Sequence, residues 1–98
     1  MGAIDSSLTI ENWAKLHGLF IEKNRNFPGR YIFHKSSRNG ECFQISVFPA
    51  QDGIVVIEAW SIETNDGRDV HCRWDVLIDE LRAGLDVALK KVDGWLGS

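Results

Sequence analysis

Between Trp74 and Trp95 the apolar residues fall three and four apart, as Leu77, Ile78, Leu81, Leu85, Ala88, Leu89, Val92, Trp95 and Leu96. That spacing lines one side of an α-helix. A stripe of this length has to be covered, so the remainder of a 98-residue chain must build the surface on which it packs. The ends carry their own signals. Asp75 is placed to cap the first free N–H groups, Asp79 and Glu80 sit near the positive end, Lys90 and Lys91 near the negative end, and Gly94 where the helix should stop.

A second helix is expected near the start, after a short polar arm. Thr9 is a candidate N-cap, Leu8 and Trp13 are spaced as a hydrophobic staple, and Ile10, Trp13, Ala14, His17, Phe20 and Ile21 share one side. Gly18 and Leu19 interrupt the pattern, and Asn24 to Arg30, with Pro28 and Gly29, reads as the loop that leaves the helix.

From Arg30 the period becomes twofold. Tyr31 to His34 and Cys42 to Phe48 flank a polar segment ending in Asn39-Gly40, a dipeptide that accepts the positive φ of a hairpin turn. Pro49 to Gly53 makes the next reversal, Ile54 to Ile62 is rich in β-branched residues, Asn65-Asp66-Gly67 turns again, and Asp69 to Trp74 alternates. The expected fold is α+β in the order α-β-β-β-β-α, a four-stranded antiparallel meander with both helices packed on one face, as a single globular domain over 1–98.

One sheet face then remains open. Tyr31, Phe33, Phe43, Ile45, Val47, Val55, Ile57, Ala59, Val70, Cys72 and Trp74 are assigned to the helix side; Ile32, His34, Gln44, Ser46, Phe48, Glu58, Trp60, Ile62, His71 and Arg73 go outward. A face that mixes histidines, an acid, an arginine and a tryptophan has the composition of an interface centre. The expected partner-binding residues are Trp60, Glu58, His71, Arg73 and His34, with Glu63, Asp66 and Asp69 supplying negative charge around the joining turn. A one-residue slip in register would turn the same patch inward.

Other chemistries are less well supported. His34, Glu58, His71 and Arg73 could supply an acid, a base and a cation for phosphodiester cleavage, as in a small ribonuclease, but only convergence in space would make them a site. Zinc held by His34, Cys42, His71 and Cys72 conflicts with strand parity, because His71 and Cys72 point to opposite faces. The cysteines have neither metal nor disulfide-scaffold spacing and read as buried thiols. Trp13, Trp74 and Trp95 read as core and core-rim packing, and His17 as a histidine whose polar tip reaches a partner or solvent. No cofactor or catalytic motif is present. A net charge of −3 disfavours nucleic acid, and no apolar run spans a bilayer or forms a secretory signal, so a cytoplasmic protein, monomeric or homodimeric, is expected.

In architecture, size and sequence style, the stretches RYIFHKSSRNGECFQISVF and GIVVIEAWSIETNDGRDVHCRWDVLIDELRAGLDVAL resemble small bacterial immunity proteins, the antitoxin partners of contact-dependent inhibition and related toxin systems. The resemblance carries no diagnostic motif and transfers no functional residue. It implies a non-catalytic cytoplasmic protein that binds a cognate toxin domain, often a nuclease, and occludes its active site or substrate surface. A basic toxin cleft would be steered to an acidic inhibitor. A secretion chaperone or adaptor would use the same kind of face or its edge.

Overall fold

The structure, a computed structural model, describes residues 6–24, 27–35, 40–64, 67 and 69–96. Helix α1 (Ser6–Leu16) is followed by strands β1 (Phe20–Asn24), β2 (Phe27–Lys35), β3 (Cys42–Val47), β4 (Ile54–Glu63) and β5 (His71–Leu77). A 3-10 turn (Ile78–Glu80) leads into helix α2 (Leu81–Leu96). The strands form one antiparallel sheet in the order β1-β2-β3-β4-β5. Among the described residues the meander therefore has five strands, not four.

The extra strand is made from residues that sequence periodicity assigns to the first helix. That helix starts at Ser6, so Thr9 lies inside it and is not its cap. It stops early because Gly18 takes φ +67, and the Leu19 N–H then bonds back to the Ala14 carbonyl at 2.8 Å while the Gly18 N–H bonds to that of Lys15 at 3.1 Å. This paired closure satisfies the last carbonyls and turns the chain out of the helix. Phe20, Ile21 and Glu22 are thereby released to pair with Phe33, Ile32 and Tyr31; of the expected loop from Asn24 to Arg30, Asn24 ends β1 and Phe27 to Arg30 begin β2, while residues 25–26 lie outside the described residues. The polar segment before Gly40, the starting arm through Asp5 and the Asn65-Asp66 turn are outside them too. Between β3 and β4, Gln51 and Ile54 exchange both backbone hydrogen bonds, and Asp52 and Gly53 both take positive φ. That is the two-residue turn whose twist suits a hairpin.

The last helix also begins later than its apolar stripe suggests. Asp75, Val76 and Leu77 belong to β5, so Asp75 pairs with Val56 and caps nothing, and Gly94 lies inside α2. Strand parity and helix spacing coincide over Trp74 to Ile78, and pairing with β4 takes those residues. Gly84 sits where α2 comes closest to the sheet: a Cβ there would meet Ile57 Cδ1 and Val76 Cγ1 at 3.0 Å.

A single core lies between the helices and one sheet face. Ile10, Trp13 and Ala14 of α1 join Leu81, Leu85, Ala88 and Val92 of α2 against Ile32, Phe43, Ile45, Val47, Val55, Ile57 and Ala59. Trp95 stacks on Phe43 at 5.5 Å between ring centroids, and Trp74 packs at the rim. The Trp13 indole N–H donates to Asp86 Oδ1 at 2.8 Å, tying the two helices together. His17, just after α1, lies against the Trp13 ring and 3.7 Å from the same carboxylate. Both cysteines are thiols outside any disulfide, and both are half-buried rather than fully buried.

Candidate partner-binding face

In β3, β4 and β5 the expected faces hold: Phe43, Ile45, Val47, Val55, Ile57 and Ala59 are buried under the helices, and Glu58, Trp60, His71 and Arg73 project from the other side. In β2 the assignment is inverted. Ile32 pairs with Ile45 and His34 with Phe43, which puts both on the helix side, while Tyr31 and Phe33 pair with Ser46 and Gln44 on the open side. His34 accordingly meets Asp93 of α2, Nε2 to Oδ1 3.0 Å. It does not belong to the open face, and a ribonuclease arrangement that includes His34 is lost with it.

The corrected register makes the open face more aromatic than the sequence suggests. One row of directly opposed residues crosses all five strands: Phe20, Phe33, Gln44, Trp60 and His71. The next row is Glu22, Tyr31, Ser46, Glu58 and Arg73. Phe20 and Phe33 approach to 6.3 Å between centroids, and Trp60 and His71 to 5.7 Å, distances at which aromatic rings attract. In the middle of the two rows Gln44 and Ser46 are buried although no helix covers them, and Gln44 Nε2 donates to Ser46 Oγ at 2.7 Å. Their cross-strand neighbours are all larger, namely Phe33 and Trp60 for one and Tyr31 and Glu58 for the other. The centre is therefore a small polar floor between aromatic and acidic walls, with the Gln44 amide and the Ser46 hydroxyl bonded to each other.

Four of the expected residues do converge. Glu58 is opposite Arg73 and Trp60 opposite His71, with His71 Nε2 3.7 Å from Glu58 Oε2. The Arg73 Nε–H donates to Asp75 Oδ1 at 3.0 Å, and this hydrogen bond, with the charge of Asp75 and more weakly that of Glu58, raises the guanidinium pKa above its ordinary value. Glu63 and Asp69 are exposed near the far end of the strands, and Asp66 lies outside the described residues. Among described residues whose pairing puts them on this face, the carboxylates Glu22, Glu58 and Asp75 outnumber the cations Lys35 and Arg73, so the face is net negative.

Toward the β3–β4 turn the face dips into an open hollow of about 890 Å³ floored by Phe48, Ile54 and Val56 and edged by Glu58, Arg73 and Asp75. Sequence reasoning missed this hollow. Its signal was the outward parity of Phe48, Ile54 and Val56 beside Pro49. Exposed apolar surface continues at both ends, with Phe20 66%, Ile62 54% and Leu77 54% exposed. Large apolar groups gathered on one side mark an interaction surface.

No protein-family model, curated protein or solved structure matches the chain. The face itself therefore carries the functional reading.

Proposed function

We propose that this protein is a binding module that neutralises a bacterial toxin domain, an immunity protein whose contact surface is the open sheet face centred on Trp60. The observation that carries the reading is the row of aromatic side chains crossing the uncovered sheet beside a net-negative ionic row. Such a surface suits a protein partner: Trp60, with Arg73 on the neighbouring strand, gives affinity, and surrounding carboxylates orient a basic partner during approach. The expected partner is the basic nuclease domain of a toxin acting in the cytoplasm, blocked at its active site or substrate surface. This class of partner comes from the family resemblance, and the charge of the face agrees with it.

The test is protection of growth. A strain expressing the toxin domain encoded beside this gene should survive with the wild-type chain. Trp60→Ala should keep its thermal transition yet weaken binding by about 2 kcal/mol or more, mainly through faster dissociation, and so lose protection. Full protection by Trp60→Ala, or a neighbouring gene that encodes part of a secretion apparatus, would count against the proposal.

A further inference from the structure

The sheet has two edges, and they differ. Strand β1 has an irregularity between Glu22 and Asn24, a break that disfavours pairing with another strand. Strand β5 is seven residues long, and its pairing with β4 is regular throughout. Among the described residues no strand lies beyond it.

Which of its backbone groups are free follows from the ladder. The Ser61 N–H bonds to the Val70 carbonyl and the Ile78 N–H to the Gly53 carbonyl. In an antiparallel pair the hydrogen-bonded positions alternate, so Cys72, Trp74 and Val76 turn their N–H and C=O groups toward β4, and His71, Arg73, Asp75 and Leu77 turn theirs to the edge.

We propose that β5 pairs antiparallel with β5 of a second copy about a two-fold axis at Trp74, joining two sheets into one. This register engages every outward backbone group of the strand, pairing His71 with Leu77 and Arg73 with Asp75 of the second copy, and the reciprocal pairs. It also keeps each sheet face continuous. Shifting the axis to Arg73 sets arginine against arginine, and shifting it to Asp75 sets aspartate against aspartate, both unfavourable directly across strands. An axis between residues would exchange the faces and mismatch the hydrogen bonds. The order Arg73-Trp74-Asp75 therefore selects one register by charge, and each Arg73–Asp75 pair, at 3.0 Å within its own chain, gains the opposite pair as neighbour.

The helical side has matching apolar surface. Helix α2 lies mainly over β4 and also over β5 and β3, and on its β5 flank Trp74, Val76, Ala83 and Val87, with Glu80 at the margin, border an open hollow of about 190 Å³. Val87 is 52% exposed there. With strands ~4.8 Å apart, edge pairing sets the two β4 strands, over which α2 mainly lies, roughly 14 Å apart, so the two α2 helices run side by side on the same face of the joined sheet. The dimer turns Val87 and Ala83 toward their own copies. It does not rest on the reading of the open face, which stays uncovered.

Sedimentation of the purified full chain should give a dimer. Arg73→Asp and Asp75→Arg, each checked for a cooperative thermal transition, should each weaken self-association by roughly tenfold or more, because two like-charge pairs replace two opposite ones. Mixing these two variants should restore a dimer, since every Arg73–Asp75 position is then again occupied by opposite charges across the axis while the repulsion within each chain is unchanged. The double variant, with both substitutions in one chain, should dimerise by itself. A wild-type chain that stays monomeric at every concentration overturns the proposal. So does a dimer indifferent to either charge reversal, or a mixture of single variants that stays monomeric.

Discussion

Gly84 illustrates how a single residue sets the distance between layers. A glycine within a helix costs about 1 kcal/mol relative to alanine, and here the missing Cβ lets α2 approach until Ile57 and Val76 occupy that space. Gly84→Leu should therefore lower stability by roughly 2 kcal/mol through overpacking, read as a shift of the denaturant midpoint. A variant as stable as wild type would mean that α2 can lift from the sheet at little cost. Trp60 is the opposite case, a large side chain left 36% exposed in a chain whose core already holds Trp13. Trp60, Glu58, His71 and Arg73 were all legible as neighbours, because β4 and β5 alternate cleanly between buried and outward positions. His34 was not, since Tyr31-Ile32-Phe33-His34 is apolar at both parities and alternation cannot choose between them.

At the level of elements, the main correction is a boundary. Phe20, Ile21 and Glu22 fit a helical stripe and a strand equally well over so short a span, and the deciding signal was Gly18, whose positive φ closes α1. Trp74 to Ile78 presented the same ambiguity, and a 3-10 turn now separates β5 from α2. The inverted face of β2 is open to direct test. Ile32→Asp should abolish folding, because it places an unpaired charge at a fully buried position, whereas Phe33→Ser should retain a cooperative transition. The opposite result in circular dichroism melts would return β2 to the parity first assigned from the sequence.

The molecule as a whole separates its tasks by side. Two helices and one face of the sheet carry the core, and the other face carries aromatic groups, carboxylates and the hydrogen-bonded pair Gln44 and Ser46. The helix-covered side was legible in outline because amphipathic helices and β-branched strands each announce a buried face. The row from Phe20 to His71 was not, because it exists only once five strands are in register. Among the described residues no helix is long and apolar enough to cross a membrane. The most direct measurement is a photo-cross-linking amino acid placed at position 60 and, separately, at exposed position 90 on α2, in cells co-producing the product of the adjacent gene. The open-face account expects an adduct with the proposed partner from position 60 and none from position 90. An adduct from position 90 with none from position 60 would contradict it.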